Sequence, residues 1–392
     1  MESPKVPMGW ELHPLKRLIS VASGSDVLDE VQESDSAIPV YGSGKGAFKY
    51  TSHNFSDSAA IIFGRKGSLG QPYIAKPPFW IVDTAYAATP TERSDFGFVY
   101  YSLLNFPWDP YTTKTAKPSL VATEILGAKV AAPGVAEQRK VAAFLDAKTA
   151  EIDVVVEKLR RQLELLERYK RELIAHTVTK GLDPEAPMKE SGLQWIGEIP
   201  SSWKLLRIGA LYDQRSTKVS DSEFPPLSVT MKGVLPQLEN VAKTNDRDNR
   251  KLIRAGDFVI NSRSDRRGAC GVADRDGSCS LINIVLEPQQ SIFNPYFSYL
   301  FRSDLFADEF YKWGHGIVDD LWTTNWDDMK KIKVPIPSYY EQQLIADYLD
   351  SETAEIDGLI TDIDRQMELL GRYRKQVIND VVTGKVRVSE EA

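Results

Sequence analysis

The chain has 392 residues, 42% of them hydrophobic and 26% charged, which is room for two or three globular domains with real cores. No apolar run of about 20 residues is present, and residues 1–10 lack a basic start followed by an apolar stretch, so neither a membrane span nor a secretory leader is expected. Two cysteines, Cys270 and Cys279, are too few for a disulfide framework or a four-ligand zinc site and suit the reducing cytoplasm. The net charge of −7 speaks at first sight against a nucleic-acid partner, but it is unevenly spread. By segment the balance is −1 for 1–136, +2 for 137–182, −2 for 183–340 and −6 for 341–392. The two large segments are nearly neutral and can each present one basic face, so charge neither requires nor excludes DNA.

Residues 1–136 read as a first domain of short strand-like runs punctuated by glycine and proline, a mixed α/β pattern rich in strand. Trp10 opens it after Pro7. The stretch 39–46, PVYGSGKG, is glycine-rich but fits neither the P-loop nor the dinucleotide fingerprint. It reads as a loop, either plain or touching phosphate on DNA. An apolar run, 59–63, leads into Arg65-Lys66-Gly67-Ser68-Leu69-Gly70. Lys76-Pro77-Pro78-Phe79 superficially resembles an amino-methyltransferase tetrapeptide. That chemistry needs an Asn or Asp at the first position to accept from the target amine, and lysine only donates. It is read as the lead-in to a strand.

Residues 137–182 predict one long helix. Leu145, Ile152, Leu159 and Leu166 recur every seven residues, with Thr149, Val156 and Leu163 between them, the four-three spacing of a coiled-coil seam. About 40 helical residues rise roughly 60 Å, so the helix reads as a strut. Residues 183–340 form a second domain of the first kind. Trp203 follows Pro200 as Trp10 follows Pro7; 226–233, PLSVTMKG, echoes PVYGSGKG; and Arg266-Arg267-Gly268-Ala269-Cys270-Gly271 echoes the Arg65 turn. Residues 341–392 hold the second helix, with Leu349, Ile356, Ile363 and Leu370 on its seam and Gly358 and Gly371 weakening it.

The two helices are copies of each other. Residues 137–182 and 341–386 align without a gap at an offset of 204, with 20 of 46 positions identical. Domain, helix, domain, helix therefore reads as an internal duplication with a pseudo-two-fold axis, the helices pairing antiparallel.

That organisation resembles the specificity subunit of type I restriction-modification systems. The resemblance is carried by Glu137-Gln138 and Glu341-Gln342, by TAEID at 149–153 and 353–357, by LLxRY at 165–169 and 369–373, and by the link SGLQWIGEIPSSW at 191–203. In the first domain PVYGSGKGAF and IIFGRKGSLG add to it, and the likeness runs from about Trp10 to Val388. It implies two target-recognition domains, each reading half of a bipartite, asymmetric DNA sequence. It also implies helices that fix the spacing and dock two modification subunits, which methylate adenine with S-adenosylmethionine, and possible restriction subunits beyond them. On that basis this chain carries no cofactor and no catalysis.

The residues expected at DNA are basic and polar groups around the repeated turns, because Arg pairs bidentately with guanine and Lys or Ser hold phosphate. In the first domain they are Tyr41, Ser43, Lys45, Lys49, Arg65, Lys66 and Ser68. In the second they are Lys232, Arg247, Arg250, Lys251, Arg263, Arg266 and Arg267, with Arg254 nearby. Four histidines, His13, His53, His176 and His315, lack the spacing of a zinc site or a triad. Asp319-Asp320 and Asp327-Asp328 read as caps or solvated surface rather than a nuclease metal site, and no metal is expected. Trp313, Trp322 and Trp326 read as core or partner contacts. A solitary methyltransferase or nuclease would need a cofactor loop plus a catalytic cluster, neither of which is found. A pure scaffold is the other alternative that near-neutral charge allows.

Overall fold

The computed structural model describes residues 6–237, 248–289, 292–316 and 322–388, and the chain divides into two compact units, 1–160 with 364–392, and 161–363. In the first, strands β1 (Glu11–Pro14), β2 (Ile19–Ser23), β3 (Ile38–Tyr41), β4 (Ala47–Thr51), β5 (Ala60–Gly64), β6 (Tyr73–Ala75), β7 (Trp80–Ile81), β8 (Ala85–Pro90) and β9 (Lys129–Ala132) are joined by helices α1 (Phe96–Leu104) and α2 (Ala122–Gly127). They lead into the long helix α3 (Val135–Lys180). The second unit holds β10 (Met188–Glu190), β11 (Glu198–Pro200), β12 (Lys204–Arg207), β13 (Tyr212–Gln214), β14 (Lys218–Val219), β15 (Leu227–Thr230), β16 (Gly233–Pro236), β17 (Arg250–Ile253), β18 (Phe258–Asn261), β19 (Cys270–Val272), β20 (Gly277–Cys279) and β21 (Asn283–Pro288). Helices α4 (Asn294–Arg302), α5 (Asp304–Lys312) and α6 (Trp326–Met329) and strand β22 (Lys333–Ile336) then lead into α7 (Tyr339–Val382). The fold is mixed helix and strand, as expected.

Each unit is built on one wholly buried strand with a core on either side. In the first, the antiparallel sheet runs β2-β8-β5-β6, and every residue of β5 is buried. Because side chains alternate across a strand, Ile61 and Phe63 enter one core with Phe98 and Leu103 of α1, while Ala60 and Ile62 enter another with Phe79 and Ile81. The second unit repeats the plan with β13-β21-β18-β19. Phe258 and Ile260 of β18 face the aromatic core of α4 and α5, and Val259 faces Ile253, Cys279 and Val285. A continuous apolar run, rather than an alternating one, is what a strand covered on both faces requires.

The shared Glu-Gln start of the long helices proves to be a docking device. Gln138 and Gln342 are each 1% exposed. Gln138 accepts from the Asp95 amide at 2.8 Å and donates to the Pro133 carbonyl at 2.8 Å. Gln342 accepts from the Phe293 amide at 2.8 Å and donates to the Pro337 carbonyl at 3.0 Å. The neighbouring glutamates take an indole N–H, Trp10 to Glu137 at 3.0 Å and Trp203 to Glu341 at 2.9 Å.

Further along, Tyr101 of α1 donates to Asp146 at 2.7 Å and meets Thr149 at 3.0 Å; Tyr299 of α4 donates to Asp350 at 2.6 Å and meets Thr353 at 3.3 Å. The duplication read in the sequence is thus repeated bond for bond inside each unit.

Each unit takes a part of each long helix, so the compact units cut across the expected blocks 1–136, 137–182, 183–340 and 341–392. Within the first unit, Leu145, Thr149 and Ile152 of α3 are buried and Ile378, Val381 and Val382 of α7 join the same core, while Arg374 pairs with Asp153 at 3.5 Å. Within the second, Leu349, Ile356 and Ile363 of α7 are buried, Leu349 shares a core with Val178 of α3, and Lys170 pairs with Asp357 at 2.6 Å. In both units one helix advances as the other retreats, so the segments run antiparallel. Leu159, Leu166 and Leu370 are half-buried, as expected of a seam covered by one partner helix alone. Helix α7 continues through Gly358 and Gly371.

Candidate nucleic-acid interface

The apolar run of β5 ends in a turn that only glycine can form. Gly67 and Gly70 have φ of +78° and +59°, a region that costs other residues about 1–2 kcal/mol. A Cβ on Gly70 would also collide with the Trp108 ring, and one on Gly64 with the Ser68 carbonyl. The turn is held on both flanks, by Arg65 N–H to the Thr84 carbonyl at 2.8 Å and Leu120 N–H to the Arg65 carbonyl at 2.9 Å.

Its basic side chains are therefore presented by a fixed backbone. Arg65 is half-buried, its guanidinium 5.5 Å from the Tyr86 ring centroid. Lys66 is exposed and pairs with Asp83 at 2.8 Å, and Ser68 is exposed. The β3–β4 hairpin loop packs onto this turn, with Ser43 Oγ 3.0 Å from where a Gly67 Cβ would be. Tyr73 donates to the Gly42 carbonyl at 2.9 Å, and Tyr41 packs 5.9 Å from the Tyr73 ring. Lys45 stands exposed at the loop.

Ser43, Lys45, Arg65, Lys66 and Ser68 thus belong to one surface. Lys49 lies further down β4 and is engaged by Glu30 at 2.7 Å, beside Asp29, whose carboxyl is held below its usual range by the Ser52 and Thr51 hydroxyls.

In the second unit the corresponding turn follows β18. Arg263 N–H donates to Asn261 Oδ1 at 3.0 Å, Ser264 N–H to the Trp322 carbonyl at 2.9 Å, and Gly268 closes the turn at φ +74°. Arg263 pairs with Asp265 at 3.0 Å and Arg267 with Asp308. Arg266 is the most open of the three, with 68% of its side chain exposed and Asp265 no nearer than 3.9 Å. The β15–β16 hairpin carries Lys232 at its exposed tip and packs on β19, just past the turn: a Cβ on Gly271 would lie 2.9 Å from Gly233 Cα.

Two expected contacts are corrected. Arg250 is 7% exposed and gives its Nε to Ser278 Oγ at 2.8 Å and an NH2 to the Ser278 carbonyl at 3.0 Å. It braces β17 to β20 from inside, because a buried guanidinium must find fixed acceptors. Lys251 is half-buried, donates to the Asn283 carbonyl at 2.6 Å, and is pushed below the usual lysine range by that burial. The two neighbours leave β17 on opposite faces, and each finds an acceptor within the domain, Ser278 for one and Asn283 for the other, which a run of basic residues in a sequence does not reveal. Arg254 pairs with Asp276, and Arg247 and Asp319-Asp320 lie outside the described residues.

Sequence reasoning missed Lys114 and Lys117, exposed on a loop joined to the first turn by the Lys66–Ser119 bridge. It also missed Arg302, exposed at the end of α4, which donates to the Met231 carbonyl at 2.9 Å. No local spacing marks these; they are brought in by tertiary packing. Among the described residues no group of three His, Cys, Asp or Glu could hold a metal, and no helix is long and apolar enough to cross a membrane. Trp313 and Trp326 pack partly buried against the core, and Trp322 is 37% exposed.

Residues 200–368 match the type I restriction modification DNA specificity domain. The chain is 25% identical over 305 residues to a putative type I restriction enzyme MjaX specificity subunit of Methanocaldococcus jannaschii, covering 71% of this chain and 64% of that one. It is 26% identical over 282 residues to the MjaVIII specificity subunit of the same organism, covering 66% and 62%. The chain therefore spans a little under two thirds of the length of these relatives. One solved structure, from work on complex assembly and conformational transition of the type I R-M system, superposes with a TM-score of 0.70 at 16% identity, over 97% of this chain and 100% of the other. The HsdS subunit from Thermoanaerobacter tengcongensis does so at 0.53 and 15%, over 97% and 98%. At such identities it is the fold that is shared.

Proposed function

The chain belongs to the family of type I restriction-modification specificity subunits, and from that premise we propose that it reads double-stranded DNA, one half of a bipartite, asymmetric target per unit, and performs no chemistry itself. The observation that carries the reading is the recurrence, at the end of the buried central strand of each unit, of a glycine-shaped turn bearing Arg65 and Lys66 or Arg263, Arg266 and Arg267. A rigid backbone presenting cations beside a hairpin tip suits contact with phosphates and guanine edges.

On this reading two modification subunits dock on the long helices, bind S-adenosylmethionine and methylate adenine, while this chain binds no cofactor. Restriction subunits join such an assembly, and the helices set the spacing of the half-sites. Support for docking comes from Leu165 and Tyr169, 50% and 51% exposed, and from their repeats Leu369 and Tyr373, 48% and 49% exposed, an apolar ridge that the helix pair leaves uncovered. The assembly works in the cytoplasm, where the two buried free thiols stay reduced.

The test is the methylation motif laid down by the assembled complex. Arg266→Ala should relax or abolish reading of one half-site, and Lys45→Ala with Lys66→Ala should weaken the other. Equal loss of both halves from either variant, or no change from both, refutes the assignment.

A further inference from the structure

The tip of the β15–β16 hairpin carries a side chain that its own fold does not explain. Thr230 pairs with Gly233, leaving Met231 and Lys232 as the two turn residues, and Met231 is 71% exposed. Turns favour Asn, Asp, Gly, Pro or Ser, each for a backbone reason, and a large apolar side chain on a protruding turn forfeits burial without serving the turn. The tip is nonetheless firmly held. Arg302 donates to the Met231 carbonyl at 2.9 Å, the Thr230 hydroxyl to the Gly233 carbonyl at 3.0 Å, and the missing Cβ of Gly271 lets Gly233 seat against β19. An apolar probe is thus displayed on a fixed backbone with two exposed cations close by, Lys232 as its neighbour in the turn and Arg302 bonded to its carbonyl, on the hairpin that packs beside the Arg263–Gly268 turn.

Taking the DNA-reading function as given, we propose that Met231 reads a thymine: its side chain packs against the 5-methyl group of one thymine in the major groove of the half-site read by the second unit. Charge complementarity favours duplex DNA over an apolar protein partner, since two cations, Lys232 and Arg302, accompany the methionine at the tip and cations are what phosphates attract. Within the groove, the thymine methyl is the apolar feature among otherwise polar base edges. Lys232 and Arg302 hold the backbone while Met231 supplies the discrimination.

The experiment uses the chain assembled with its modification subunits and duplexes carrying its target. Each thymine of the half-site that Arg266→Ala ceases to read is replaced, one at a time, by deoxyuracil, which differs only in lacking the methyl. One replacement should weaken binding about 4-fold, the worth of one methyl group removed from water. Met231→Ala should bind the thymine and uracil duplexes equally, near the wild-type affinity for uracil, and Met231→Leu should keep most of the discrimination. A half-site without thymine, one in which no methyl matters, or losses from methyl and side chain that multiply independently each overturns the proposal. Those outcomes leave the DNA reading intact, provided Arg266→Ala still loses that half-site. Absence of any sequence-specific binding by the wild type overturns both.

Discussion

Trp203, 1% exposed, gives its indole N–H to the Glu341 carboxylate at 2.9 Å, tying the opening of the second domain to the first turn of α7. Gly181, just past α3 at φ +79°, completes the joint: a Cβ there would stand 3.2 Å from the Trp203 ring and 3.4 Å from Glu341. Glu341→Ala leaves a deeply placed donor without its acceptor and should cost about 1–3 kcal/mol, while Glu341→Gln retains an acceptor and should cost less. Gly181→Ala should cost about 1–2 kcal/mol through its left-handed backbone. Urea unfolding followed by tryptophan fluorescence orders the three variants, and Glu341→Ala as stable as wild type would deny the joint its role.

The helices were the most legible part of the sequence because a seven-residue repeat leaves few alternatives and the duplication supplied a second copy to check it. The meaning of individual motif residues was not legible. The Glu-Gln pair was visible as a motif, but its partners, Trp10 and Asp95 for the first copy and Trp203 and Phe293 for the second, come from domains far away in sequence. The proposed recognition surface was half legible. The glycine spacing around Arg65 and Arg266 marked both turns, since positive φ must be met by glycine. Arg250 was misjudged, because a strand arginine reads the same whether its alternate face is buried or wet. Arg302 was invisible, because only tertiary packing carries the end of α4 to the hairpin tip.

Both thiols are buried, and burial in apolar surroundings raises them, Cys270 to about 12 and Cys279 to about 11. A thiol reagent at pH 8 should label neither in the folded protein and both after denaturation. The linkage has a definite sign. The folded state holds these protons more tightly than the unfolded chain, so their contribution is fully present below about pH 9, where thiols in both states stay protonated. It is lost as pH climbs from there toward 12. Alkaline unfolding of Cys270→Ala should show a shallower decline in that window; an unchanged slope would mean that the thiol is not a source of it.

Gly358 and Gly371 interrupt the heptads of α7, yet a Cβ at either position would meet nothing within 4 Å. Neither glycine has the positive φ that would demand it. Replacing each by alanine removes unfolded-state freedom and adds helix propensity at no steric cost, so Gly371→Ala should stabilise by up to about 1 kcal/mol, and Gly358→Ala likewise. The positions are 13 residues apart in sequence and fall in different compact units, so the double variant should be close to additive. Calorimetry of the three variants decides; a loss of stability on Gly371→Ala would show that the helix depends on flexibility there.

The shared LLxRY segment has two sides, and they separate stability from assembly. Leu166 and Leu370 hold seam positions of the heptads and are half-buried, whereas Leu165 with Tyr169 and Leu369 with Tyr373 are about half exposed, each pair four residues apart and so adjacent on the helix surface. Replacing Leu165 and Tyr169 by alanine should therefore leave the melting temperature of the isolated chain nearly unchanged but weaken capture of a modification subunit. An aromatic anchor at an interface centre is commonly worth about 2 kcal/mol, or a 30-fold change in affinity. Leu369→Ala with Tyr373→Ala should do the same at the second site, so each double variant should still hold one modification subunit and the quadruple variant none. Leu166→Ala should give the opposite pattern, a lower melting temperature with docking kept at low temperature. Mass measurement of the assembled complexes counts the bound subunits directly, and two subunits still held by the quadruple variant would place the docking surface elsewhere.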